Sequence, residues 1–182
     1  MNRFSEDLDF AVQERNPSFN LRPYLNVLKK ELTAYGCEVE MDDRSKVGQA
    51  VRKAFVKDDS LGSLLKLNFK PASSPMRKMR IRLEVDPSPP EGATFETKHL
   101  DFPFPSAVCV FDLPSLYAGK LHALLCREYL KGQDWYDFVW YTARRIPTNY
   151  TLLSSALDLM GPWMGRNVQA DRAWCFKRLK EL

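Results

Sequence analysis

The sequence predicts an α+β fold, a mixed sheet followed by a helical part, and three observations carry that prediction. Strand patterns crowd the first part of the chain: Ile81, Leu83 and Val85 alternate with Arg82, Glu84 and Asp86, the period-two signature of a half-buried strand. From Asp112 the apolar spacing turns helical, with a stripe through Leu116, Leu121, Leu124, Leu125 and Leu130. Strands gathered before helices favour α+β over a doubly wound sheet, in which the two alternate.

Taken in order, residues 5–12 read as a strand that turns Asp7 and Asp9 to one side and Leu8 and Phe10 to the other. Arg22 to Ala34 reads as a helix, with Tyr24, Leu25, Val27, Leu28 and Leu32 on its stripe and Gly36 ending it. Further strands are expected at about 37–41, 51–57, 63–70 and 79–86. Pro87, Pro89 and Pro90 stop the last of these, and a loop is expected to about residue 105, before the short apolar run Ala107 to Phe111. Pro114 suits the first turn of a helix that Gly132 breaks. Asp134 is placed to start the next helix, Pro147 ends it, and helices follow at about 149–160 and 167–181. The expected organisation is an α/β core over 1–111 and a helical part over 112–182, packed on the core as one compact unit.

A chain of 182 residues, 45% hydrophobic and 27% charged, can bury the core of one domain. No run approaches the roughly 18 uninterrupted apolar residues of a membrane span, and the first residues are not a basic stretch followed by an apolar one. A soluble, cytoplasmic protein with no membrane partner is expected. Cys37, Cys109, Cys126 and Cys175 form no Cys-x-x-Cys pair, so reduced, mostly buried thiols are expected. The net charge of +4 is unevenly spread, with a basic run from Arg77 to Arg82 and more basic residues from Arg144 to Lys180. Such clusters suit phosphate-bearing partners, nucleotide or RNA; a solvated helix face accounts for the tail equally well.

Parallel carboxylates such as Asp7 and Asp9 repel unless a cation holds them, so a divalent-metal site stands beside the plainer reading of a solvated strand end. Glu84 shares its exposed strand face with Arg82 and Asp86. If that strand neighbours the first, three carboxylates converge, a set suited to two cations that activate an attacking oxygen and neutralise a phosphoryl group. The alternative is a polar strand face with Arg82 and Glu84 in cross-strand pairs. Lys120 and Arg127 stand two helical turns apart and project from nearly one face, the first as a point charge for a triphosphate, the second as a fork for carboxylate or phosphate. Asp134 and Asp137 have the spacing of a helix start, where Asp134 would cap free N–H groups. His122 reads as a packed or partly exposed residue and His99 as a loop residue with no evident partner, so neither is a site candidate. No hydrolase serine, P-loop or dinucleotide fingerprint is present. Trp135, Tyr136, Trp140 and Tyr141 recur at helical spacing and read as core rather than as a base-stacking platform.

The ordered set Arg3-Phe4-Ser5-Glu6-Asp7-Leu8-Asp9-Phe10, Arg82-Leu83-Glu84-Val85, Lys120-Leu121-His122-Ala123-Leu124 with Arg127, and Asp134-Trp135-Tyr136-Asp137 resembles the AbiEii/AbiGii toxin family of nucleotidyltransferase-like proteins. The resemblance implies a polymerase-beta-like nucleotidyltransferase mixed sheet with a C-terminal helical part. It also implies a bacterial toxin of toxin–antitoxin or abortive-infection systems, neutralised by a cognate antitoxin. Magnesium and a nucleoside triphosphate would be bound, and a nucleotide passed to an acceptor that in some members is transfer RNA.

Carried over residue by residue, Asp7 and Asp9 match the paired metal-binding carboxylates and Glu84 the acidic position on the following strand. Lys120 matches the helix lysine that contacts nucleotide phosphates, and Asp134 the later acidic residue of the active site, there to orient Lys120 or the acceptor. Arg127 is expected beside the nucleotide, and Ser5 and Arg3 match positions flanking the carboxylate pair. Gln133 stands where the family has arginine, which implies a weaker local ion pair and leaves the metals untouched. Family members also carry a Gly-Gly or Gly-Ser turn upstream of Asp-x-Asp, whose backbone N–H groups cradle the triphosphate. Here Met1 precedes Arg3 by two residues. The expectation is a start further upstream or a truncated relative, and with it an alternative function: an inactive module binding nucleotide, RNA or antitoxin. A missing strand would leave a sheet edge exposed.

Overall fold

Among the described residues the protein holds a four-stranded mixed sheet with one helix and, separately, four helices with a β-hairpin. The computed structural model describes residues 7–36, 38–43, 61–69, 77–102 and 104–182. The strand expected at 51–57, and the residues Arg3, Ser5 and Cys37, lie outside the described residues. By its internal contacts the chain divides into Met1–Pro89 and Pro90–Leu182. The division falls at the prolines, and the run Ala107 to Phe111, read from sequence as part of the first region, belongs to the second.

In the first unit the described elements are β1 (Asp7–Ala11), α1 (Arg22–Ala34), β2 (Glu38–Asp43), β3 (Leu61–Phe69) and β4 (Arg77–Asp86). The sheet order is β1-β4-β3-β2, with β1 parallel to β4 and the other pairs antiparallel. The alternation in β4 does what it predicts: Leu83 and Val85 are buried with Leu25 of α1, and Ile81, Leu28, Phe19 and Leu21 pack around them. Pro23 lies in the first turn of α1, where its missing N–H costs nothing. Gly36, at φ 81°, takes the left-handed position just past the helix end.

The second unit opens with an antiparallel hairpin of β5 (Phe95–Leu100) and β6 (Ser106–Phe111). The expected loop to residue 105 therefore contains a strand. Phe-Glu-Thr-Lys-His-Leu lacks apolar alternation because β5 is largely exposed and is held by pairing with β6, not by burial of one face. Four helices follow: α2 (Leu113–Cys126), α3 (Gly132–Ala143), α4 (Tyr150–Leu159) and α5 (Arg172–Leu179). Gly132 starts α3 instead of breaking α2, which already ends at Cys126 as Arg127 turns to extended backbone. α5 begins five residues later than expected, because the preceding segment is stitched back onto α4: Asn167 N–H donates to Asp158 Oδ1 at 2.8 Å and Ala170 N–H to Ser154 Oγ at 2.9 Å.

Side-chain caps fix three of these helices. Asp112 Oδ1 accepts from Ser115 N at 2.9 Å, Asn149 Oδ1 from Leu152 N at 3.1 Å and Asp171 Oδ1 from Trp174 N at 2.7 Å. The core holds Tyr117, Leu121, Tyr141, Leu153, Leu157 and Cys175, with the Tyr117 and Tyr141 rings stacked at 4.9 Å. Of the five aromatics on α3, Tyr141 is core and Phe138 and Trp140 pack against that core, whereas Trp135 and Tyr136 are exposed.

Candidate active-site residues

Parallel pairing decides the acidic face of the first unit. β1 runs beside β4 with Asp7 opposite Arg82 and Asp9 opposite Glu84. In-register residues of neighbouring strands share a face, so Asp7, Asp9, Arg82 and Glu84 lie on one side of the sheet, and Leu83 and Val85 on the other. The neighbouring of the two strands, on which the convergence of carboxylates depended, is present. Arg82 stands among the acidic groups, its Nε 3.7 Å from Asp7 Oδ1 and its Nη1 3.8 Å from Glu84 Oε1. Among the described residues, no three His, Cys, Asp or Glu side chains are placed to hold a metal ion. The donor chemistry nonetheless suits magnesium, a hard cation that takes carboxylate oxygens. Across from Glu84 on β3 is Gly62, which adds no side chain beside it.

Two ion pairs join α2 and its C-terminal cap to α3 in the second unit. Lys120 Nζ lies 2.8 Å from Asp137 Oδ2, and Arg127 Nη1 pairs with Asp134 Oδ1. Both carboxylates are buried, Asp137 completely, while Lys120 and Arg127 each keep about a third of the side chain exposed. The second oxygen of Asp134 accepts from Lys131 N–H at 3.2 Å, and Asp134 N–H donates to the Lys131 carbonyl oxygen at 2.8 Å, so Asp134 ties down the start of α3 from inside its first turn. The ion-pair partner of Lys120 is thus Asp137, and Asp134 stands with Arg127 and the helix start. Asp137 also sits against Tyr141: burial, and after it the Asp137 charge, push that phenol above its ordinary value.

Sequence reasoning passed over two of these residues. Asp137 carried a signal: it lies four residues before Tyr141 on the apolar side of α3, and a carboxylate there must be paired. Arg82 was visible only as a neighbour of Glu84, because its position opposite Asp7 depends on the register of distant segments. His122 is partly buried, and its Nε2 is 3.2 Å from the Met160 carbonyl oxygen. Burial pushes the Cys126 thiol up to about 12 and, with Asp171 adding to it, Cys175 to about 11. Neither offers a thiolate nucleophile at neutral pH.

The chemistry of the residues is thus a carboxylate face with an embedded guanidinium in one unit, and two cations held by buried carboxylates in the other. No helix among the described residues is long and apolar enough to cross a membrane. No curated protein matches the chain. Residues 1–179 match the family described as nucleotidyl transferase AbiEii toxin, type IV toxin–antitoxin system. Nearly the whole chain is covered, both sets of residues included, and the protein belongs to the AbiEii family of nucleotidyltransferase toxins.

Proposed function

We propose that the chain transfers a nucleotide from a nucleoside triphosphate to an acceptor, as the cytoplasmic toxin half of a toxin–antitoxin pair whose other half is a cognate antitoxin. Transfer RNA is the acceptor class suggested by the resemblance. The observation that carries this reading is the register of β1 against β4, which sets Asp9 beside Glu84 with Asp7 on the same face. Asp7, Asp9 and Glu84 would hold magnesium, which when bound activates an attacking oxygen and neutralises phosphoryl charge.

The remaining work falls to the chain's own side chains. Asp137 fixes the Lys120 ammonium at one oxygen and leaves its other donors for phosphate oxygens. Arg127, braced by Asp134, offers a second fixed cation, and bracing cuts the entropy lost on gripping a phosphate. Ser5 is assigned to the nucleotide with them. The test is transfer of labelled nucleotide to bacterial transfer RNA by the purified protein with magnesium. Asp9→Ala is expected to lose about a hundredfold or more of the rate with an unchanged melting temperature, since Asp9 is exposed. Transfer at the wild-type rate by that variant would overturn the assignment.

A second reading, a module that binds nucleotide, RNA or antitoxin without catalysis, is favoured by the lack of a metal-ready trio among the described residues. It predicts triphosphate binding that magnesium leaves unchanged.

A further inference from the structure

We propose that the outward face of α5 docks an RNA, with Arg172, Lys177 and Lys180 on its phosphates and Phe176 against an unpaired base. The inference rests on the transfer reading for one point, that the RNA docked there is the acceptor. Helix periodicity assembles the face: positions 172, 173, 176, 177 and 180 fall on one side of an α-helix. All five are exposed, whereas Cys175 on the opposite side is buried and Trp174, Arg178 and Leu179 are half-buried. Lys180 joins the face because it continues the helical backbone as the cap of α5.

The cations on this face do little for the fold. Arg172 stands in the first turn of α5, where the helix dipole disfavours positive charge. The acids that flank the helix are engaged elsewhere: Asp171 Oδ1 accepts from Trp174 N–H at 2.7 Å, and Glu181 Oε2 pairs with Arg178 Nη1 at 2.7 Å. Among the described residues no ion pair joins Arg172, Lys177 or Lys180 to a carboxylate. Phe176 lies between these cations with 61% of its surface exposed, and the Lys180 ammonium stands 4.4 Å from its ring centre. A merely solvated face has no use for a large ring there. Cations interleaved with an open aromatic ring are the arrangement that holds a single strand, whose phosphates meet the charges while a base stacks on the ring. From Arg172 to Lys180 the face runs about 12 Å along the helix axis, room for a few successive phosphates. With one ring and no apolar stripe it has nothing to sink into a bilayer, which favours RNA over an anionic membrane.

The experiment is titration of fluorescently labelled bacterial transfer RNA with the full chain, without triphosphate, read by anisotropy over a range of salt concentrations. Lys177→Gln/Lys180→Gln is expected to bind about tenfold more weakly at low salt and to flatten the dependence of log affinity on log salt by about 1.5. Phe176→Ala is expected to bind about tenfold more weakly with the salt dependence unchanged, because stacking releases no counter-ions. Lys29→Gln/Lys30→Gln removes the same charge from exposed positions of α1 and is expected to stay within about twofold of wild type. Equal weakening by the two double variants would mean that net charge alone attracts the RNA, and overturns the inference. So does wild-type affinity in Lys177→Gln/Lys180→Gln, or a loss confined to vesicles of phosphatidylglycerol. Arg172→Gln, at the other end of the helix, repeats the charge test should the double variant fold poorly. Asp9→Ala separates the two levels: it is expected to lose transfer and keep RNA affinity. Normal RNA binding by the α5 variants beside a transfer-dead Asp9→Ala removes the docking face and leaves the transfer reading standing; weakened RNA binding by the α5 variants beside a fully active Asp9→Ala does the reverse.

Discussion

Lys120 and Asp137 are charged partners of very different exposure, and that difference predicts which of them the fold needs more. Asp137 has no exposed surface, so Lys120→Met takes the neighbouring cation from a buried carboxylate and is expected to cost about 3 kcal/mol in urea unfolding. Asp137→Asn leaves an ammonium that can turn to water, and a loss nearer 1–2 kcal/mol is expected. The reverse order would show that the pair's energetics are not set by burial of the acid. Asp112 gives a second prediction at this scale. Burial opposes its charge, but the hydrogen bonds from Thr94 and Ser115 win and hold its carboxyl below the ordinary range. A lowered folded-state value means stability that is present above the unfolded value and lost as pH falls through the folded one. Thermal melts should show wild type ahead of Asp112→Asn near neutrality, with the margin closing in acid, because asparagine caps without titrating. Residue identities on the acidic face were legible because period-two alternation alone turns Asp7 and Asp9 to one side. Which aspartate meets Lys120 was not legible, since it depends on how α3 is rotated against α2.

Elements were legible to the extent that they bury a stripe. α1, α2 and α4 each carry one and lie close to the expected residues. β5 carries none and read as loop, because what makes it a strand is a partner supplied by β6. The late start of α5 has a similar origin: the segment before it spends its N–H groups on Asp158 and Ser154 of α4 instead of on its own helix. Close approach of that segment to α2 yields a prediction. Gly161 has φ 98°, and a Cβ there would stand 2.8 Å from Cys126 Sγ. Gly161→Ala is expected to cost about 2 kcal/mol in urea unfolding, by backbone strain and overlap together. Adding Cys126→Ala should recover part of the loss, because it relieves the overlap and leaves the strain. Full recovery would mean that the backbone conformation is not strained by a side chain.

Among the described residues the buried apolar side chains fall unequally between the two units. The buried residues described in the first are Leu25, Leu83 and Val85, whereas the second buries nine in one cluster. Hydrogen exchange is therefore expected to be slowest in α2 and α4, around Leu121, Leu153 and Leu157, and faster in α1. Equal protection of α1 and α2 would contradict it. The α+β class was legible from sequence because it needs only the order of patterns, and the parallel pairing of β1 with β4 was not, because nothing local encodes it. That pairing has a consequence for how the chain can vary over evolutionary time. Substitutions can tune this face by degrees, but insertion or deletion of one residue within β1 would exchange the acidic side for Leu8 and Phe10 in a single step. The spacing between Asp7 and Asp9 therefore behaves like a reading frame: lineages that keep the chemistry are confined to point changes there, and length variation is pushed out into the connections.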